Sequence, residues 1–176
     1  MNYFEFYDLP LSFNVDAGKV KAKFYELSKK YHPDFHISES QRKQEEVLEL
    51  STLNNKAYQV LSNKQKRVEY VLEMFGVITE GEKYELPQDF LMEMMEINEV
   101  LMELEFEPNP AEIQKLKKQI LSIESKLDRD LDSLSVEFDS ENGEDQKQTL
   151  LEIKDIRYRK KYLLRITDSL NRFASR

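Results

Sequence analysis

The sequence predicts an all-α protein in two domains: an antiparallel helical hairpin with short accessory helices, then a three-helix bundle. Three observations carry this. Only four Gly and five Pro punctuate 176 residues that are 40% hydrophobic and 34% charged. That is the profile of a soluble, mostly helical chain, long enough for one large domain or two small ones. Apolar residues recur at three- and four-residue spacings along most of the chain, which is the helical period. Charge is split unevenly: residues 1–75 hold 11 Lys+Arg against 11 Asp+Glu, whereas residues 76–176 hold 15 against 23 and carry the whole net charge of −8. The shift predicts a boundary near Gly76, with residues 1–75 as one domain, 76–87 as a linker and 88–176 as the bundle.

The aromatic segment "NYFEFYDL" predicts one or two helical turns closed by Pro10. Asp16 is a good N-cap for a helix from about Ala17 to Tyr31, with Val20, Phe24, Leu27 and Tyr31 as its core face. Lys19, Lys23 and Lys30 fall on one flank of that helix. Pro33 ends it and pushes His32 toward extended backbone. Ser38, with Gln41 in the capping-box position, opens a second long helix to about Ser62, through Val47, Leu50, Leu53, Ala57 and Leu61. "NKQKRVEYVLEMFG" predicts a shorter helix stopped by Gly76 as its C′ residue. Two long helices joined by six or seven residues pack as an antiparallel hairpin, which puts residues 32–38 at its solvated tip.

"VITEGEKYELP" reads as the connection. Beyond it, helices are predicted at about 88–105, 111–138 and 145–174, separated by "EPNP" and "SENGED". Ile113, Leu116, Ile120, Ile123, Leu127, Leu131 and Leu134 keep the helical period in the second. Ile156, Leu163, Ile166, Leu170 and Phe173 keep it in the third. Sustained periodicity with short loops predicts an antiparallel bundle.

Composition excludes several function classes. The absence of Cys removes disulfides and thiolate metal sites, and two His leave a zinc site dependent on carboxylates. No apolar run approaches the roughly 20 residues of a membrane span. "MNYFEFYDLP" has the character of neither a signal nor a transit peptide, so a cytoplasmic location is expected. The net charge of −8 argues against general nucleic-acid binding.

His32-Pro33-Asp34 places an imidazole and a carboxylate on the predicted tip. As a pair they could act as a general base. No nucleophile motif, Gly-rich phosphate loop or ligand cluster accompanies them, and a hairpin tip is convex where catalytic sites are concave. The chain is therefore not expected to be an enzyme. One His and one Asp are also too few ligands for a metal. The plain reading of the tripeptide is turn chemistry.

Its context goes further. "YHPD" at 31–34, preceded by a basic-flanked helix and followed by "NNKAYQVLSN" at 54–63 and "RVEYVL" at 67–72, resembles the J-domain family. These are co-chaperones of seventy-kilodalton heat-shock chaperones of the DnaK type. The resemblance implies that His32, Pro33 and Asp34 dock on the chaperone's ATPase domain and stimulate ATP hydrolysis. It implies also that Lys19, Lys23 and Lys30 meet an acidic chaperone face. Charged contacts of that kind favour a fast, salt-sensitive encounter. A merely solvated helix face is the plain alternative for the lysines. One departure stands out: family members often carry a basic residue after the tripeptide, and here Phe35 and His36 follow.

"QDFLMEMMEINEVLMELEFE" at 88–107 has two apolar faces. Phe90, Met94, Ile97, Leu101 and Leu104 form one core stripe. Leu91, Met92, Met95 and Met102 lie elsewhere on the wheel, bordered by Glu96, Glu99 and Glu103. The stretch holds seven acids and no base. Either the second face is buried by the rest of the chain or it receives a partner, as exposed Met-rich patches tend to do.

A J domain followed by an acidic three-helix bundle resembles the HscB family, in which the C-terminal helical domain binds the iron–sulfur cluster scaffold protein IscU. The resemblance implies an L-shaped protein that stimulates a DnaK/HscA-type chaperone and delivers IscU to it, with no cofactor of its own. It places scaffold-binding residues at Leu91, Met92, Met95, Glu96, Glu99 and Glu103, and more loosely at Arg157 and Tyr158 within "KDIRYRKKYLLR". The plain alternative for that basic cluster is charge pairing inside the bundle. The lack of an N-terminal cysteine extension or transit peptide favours a bacterial, cytoplasmic member. The other readings are a J-domain co-chaperone with a different client and a non-catalytic helical adaptor.

Overall fold

Short polar side chains fix where most of the helices begin. In the computed structural model, which describes residues 1–174, Asn2 and Glu5 close a capping box on α1 (Tyr3–Phe6). Asp16 accepts from the Gly18 and Lys19 N–H groups at the head of α2 (Ala17–Lys30). Ser40 accepts from Lys43 at the head of α3 (Gln41–Leu61), and Asn63 from Lys66 on α4 (Lys64–Met74). α5 (Gln88–Phe106) starts behind Pro87 without a side-chain cap. Asn109 caps α6 (Pro110–Ser140), and α7 runs from Glu144 to Ala174. Each cap contributes about 1 kcal/mol.

The cap of α3 corrects the expectation of Ser38. Pro33–His36 wind into a 3-10 turn, and the Glu39 N–H then bonds the His36 carbonyl. The chain reaches α geometry only at Gln41, and Lys43 rather than Gln41 takes the third helical position. Gly76 follows α4 at φ +65, the left-handed conformation that a C′ glycine supplies.

The described residues form helices and no strand, in two compact units, Met1–Gly76 and Val77–Arg176. None of these helices is long and apolar enough to cross a membrane.

In the first unit α2 and α3 pack together as the predicted hairpin. Val20, Leu27, Val47, Ala57 and Leu61 are buried, with Phe4, Tyr7 and Phe13 from the N-terminal segment. Phe24, Tyr31, Leu50 and Leu53 are only half-buried; the Phe24 ring stacks on Tyr58 at 4.3 Å. The centre of the hairpin is polar. Asn54 is 1% exposed, donates to the Phe24 carbonyl at 3.1 Å and the Ser28 hydroxyl at 3.0 Å, and accepts from the Tyr7 hydroxyl at 2.8 Å. A buried amide satisfied on both ends fixes register at little cost. Burial pushes the Tyr7 phenol above its ordinary range. Arg67, also buried, donates to the Phe13 and Leu61 carbonyls at 2.7 and 2.5 Å.

In the second unit α5 buries Phe90, Met94, Ile97, Leu101 and Leu104, the predicted stripe. α6 buries Leu116, Ile120, Leu127 and Leu131, and α7 buries Ile156, Leu163, Ile166 and Leu170. Ile113, Ile123 and Leu134 are half-buried. The Phe173 side chain, expected to continue the α7 stripe, lies outside the described residues.

The segment read as a linker is bound to α7. Lys154 donates to the Val77 carbonyl at 2.9 Å and pairs with Glu82 at 3.0 Å. Tyr158 donates to Glu82 at 2.8 Å, and Tyr84 to Asp155 at 2.7 Å. The Tyr84 and Tyr158 rings stack at 4.4 Å, and Ile78 within this strap is buried. The hydrogen bonds from Lys154 and Tyr158 hold the Glu82 carboxyl below its ordinary value of 4.5. A depressed carboxyl stabilises the fold above the unfolded pKa and loses that contribution as pH falls through the folded one. Glu82→Gln should therefore cost about 1 kcal/mol, or roughly 2–4 °C in thermal midpoint, at neutral pH. The deficit should shrink steadily below pH 4.5. Thermal scans of both proteins across that range check this, and a deficit independent of pH would contradict it.

Candidate functional site

The tip of the α2–α3 hairpin is built from its own backbone. His32 takes extended geometry, φ −73 and ψ 123, as a residue before proline must. Pro33 then opens the 3-10 turn, and the Asp34 N–H donates to His32 Nδ1 at 3.3 Å. A ring nitrogen that accepts leaves the proton of neutral imidazole on the other nitrogen, so His32 carries it on Nε2. The Asp34 carboxylate is 79% exposed and lies 3.8 Å from Nδ1. The tip thus carries a ring N–H donor and an exposed carboxylate two residues apart.

Three residues that sequence reasoning left without a role hold this arrangement. The Phe35 ring packs against His32 with centroids 5.6 Å apart, while remaining 67% exposed. His36 turns back, and its Nε2–H donates to the Lys30 carbonyl at 2.9 Å, filling one of the acceptors a helix C-terminus leaves open. Its Nδ1 is buried without a partner. Gln44 on α3 donates to the Ile37 and Glu39 carbonyls, both at 3.0 Å. The tip is therefore tied to both helices of the hairpin. Only polarity marked Gln44 in the sequence, and polarity does not distinguish it from its neighbours.

The three predicted lysines differ in state. Lys19 is exposed. Lys30 is exposed and sits 5.2 Å over the Tyr31 ring. Lys23 is engaged, 2.7 Å from Asp8 and 3.4 Å from Glu26, and its hydrogen bond to Asp8 raises it above the ordinary lysine range. Glu26 shares the flank with all three, so the flank is mixed in charge.

On α5 the core stripe is buried and the second face is open. Met92, Met95 and Met102 are 58%, 60% and 70% exposed. Leu91 is half-buried, and Glu96, Glu99 and Glu103 are exposed. The six α5 residues expected at the site therefore share one solvent-facing surface. Arg157 and Tyr158 stand on α7 in the strap cluster. Arg157 lies 4.9 Å over the Tyr158 ring, and the Tyr158 hydroxyl is committed to Glu82. The surrounding basic cluster pairs within the bundle, Arg159 with Asp155 and Lys160 with Asp128. These partners are not the acids of α5. Among the described residues no group of His, Cys, Asp and Glu could hold a metal ion.

Comparison with known proteins divides the chain at the same place. Residues 5–70 match the DnaJ domain. Residues 86–171 match the HSCB C-terminal oligomerisation domain. A co-chaperone protein HscB homolog of Vibrio campbellii is 34% identical over 141 residues, covering 74% of this chain and 82% of that protein. The chain belongs to the HscB family of J-domain co-chaperones. The human iron-sulfur cluster co-chaperone protein HscB is 34% identical over 154 residues, 87% of this chain. The alignment spans 63% of the human protein, less than two thirds of its length. Among solved structures, chaperone HscB from Vibrio cholerae has a TM-score of 0.70 at 25% identity, covering 99% of this chain and 98% of that one. The crystal structure of human HscB has a TM-score of 0.75 at 28% identity, covering 97% and 81%. In this HscB-family chain α1–α4 form the J domain, and α5–α7 the HscB C-terminal domain.

Proposed function

We propose that the chain stimulates the ATPase of a DnaK/HscA-type heat-shock chaperone through its J domain and delivers an iron–sulfur cluster scaffold of the IscU type on α5. Hydrolysis takes place in the chaperone's active site. His32, Pro33 and Asp34 act on that site from outside, with Lys19 and Lys30 as the free charges of the adjoining flank. Leu91, Met92 and Met95, ringed by Glu96, Glu99 and Glu103, receive the scaffold. One observation supports this above the others: a single HscB-family chain exposes both the His-Pro-Asp tip and an acidic, Met-rich helix face. The human relative's description as an iron–sulfur cluster co-chaperone favours the scaffold as client. Carrying both surfaces on one chain raises the effective concentration of scaffold at the chaperone, which couples ATP turnover to cluster release.

Steady-state ATP turnover by the chaperone tests this, measured with the chain, with the scaffold and with both. The chain alone should raise the rate several-fold, and the pair should exceed the sum of the two separate increments. Stimulation without that excess would point to a different client. No stimulation at all would leave a helical adaptor.

A further inference from the structure

The open face of α5 does not stop at the residues assigned to the scaffold. Phe106, the last residue of the helix, is 94% exposed. At about 100° per residue, Leu91, Met95, Met102 and Phe106 fall within a sector of about 60°. At about 1.5 Å per residue they run roughly 22 Å along the helix. Single exposed apolar residues are ordinary, but this one ends a line of four. Beside it Pro108 and Pro110 complete an open notch of about 1010 Å³ with Met102 and Glu103.

Charge says what kind of surface fits there. Glu99 borders the line, and Glu103 and Glu107 line the notch at its end; all three are exposed, and none of them has an ion-pair partner among the described residues. The last turn of α5 contains no base, so Glu103 and Glu107 sit against the negative end of the helix dipole, which disfavours them. A cationic partner surface relieves that opposition, and an aromatic anchor in an apolar pocket with a charged rim is a common hot-spot arrangement.

We infer that Phe106 is a further anchor of this docking face, received together with Met102 by an apolar pocket with a basic rim on the scaffold protein. The inference rests on the reading of α5 as the scaffold-binding helix. Calorimetric titration of the full chain with purified scaffold tests it. Phe106→Ala should weaken binding about tenfold, and Phe106→Leu should retain most of the affinity. Because the side chain is solvent-exposed, neither change should alter helicity or the scaffold-free stimulation of the chaperone. If Phe106→Ala binds like wild type while Leu91→Ala with Met92→Ala binds weakly, the anchor is wrong and the scaffold reading stands. If wild type does not bind the scaffold, both fall. If Phe106→Ala instead changes the sedimentation of the chain alone and leaves scaffold affinity intact, the face belongs to a second copy and the inference is overturned.

Discussion

His32→Gln should reduce the chaperone's ATP turnover to its basal rate while leaving this chain folded. The imidazole lies on the exposed tip with one intramolecular hydrogen bond, from the Asp34 N–H at 3.3 Å, and one ring contact, to Phe35. Exposed sites of this kind change stability by about 0.5 kcal/mol or less, so the thermal midpoint should hold. What disappears is the ring whose Nδ1 faces the Asp34 carboxylate at 3.8 Å and whose Nε2 carries the proton. Glutamine can accept the Asp34 N–H, but it cannot hold a donor at the same place with the same stiffness. Single-turnover hydrolysis by the chaperone, with and without the variant, measures the loss. A stimulated rate equal to wild type would remove the J-domain assignment of function.

Leu91→Ala combined with Met92→Ala should weaken scaffold binding by at least about tenfold and leave scaffold-free stimulation unchanged. Met92 is 58% exposed, so truncating it removes little that the bundle uses. Leu91 is half-buried, and its loss should cost the second unit about 1 kcal/mol. At an interface, large apolar anchors are each worth about 1–2 kcal/mol or more, and every 1.4 kcal/mol is about tenfold in affinity. Titration with the scaffold reports the first effect and a thermal scan the second. Unchanged affinity would move the scaffold off this face.

What the sequence disclosed followed periodicity. The α5 stripe of Phe90, Met94, Ile97, Leu101 and Leu104 was legible because a helix with one buried face repeats its apolar residues every three or four positions. The open face followed by subtraction. Asn54 was illegible, since a polar residue reads as surface until Tyr7, Phe24 and Ser28 are seen to satisfy it. Ser40 was passed over for Ser38 because a 3-10 turn after Pro33 absorbs residues that a plain loop would have released. The strap was illegible because Glu82 and Tyr84 find Lys154, Asp155 and Tyr158 more than seventy residues away. The same distance concealed that Tyr158, which the resemblance places only loosely among scaffold contacts, spends its hydroxyl on Glu82. Lys23 seemed a free cation until Asp8, which sits at φ +52, was seen beside it.

The bonds that tie the tip to both helices bear on how a small surface can act on a much larger protein. Ordering a free backbone costs about 1–2 kcal/mol per residue, and a loose loop of residues 32–38 would lose that on every docking event. Here His36 on the Lys30 carbonyl and Gln44 on the Ile37 and Glu39 carbonyls have already ordered it. On the proposed function, nearly all of the contact energy at His32 and Asp34 would then be left to shift the chaperone between its own states. A pre-organised tip can therefore bind weakly, leave quickly and still change the rate of a reaction it never touches.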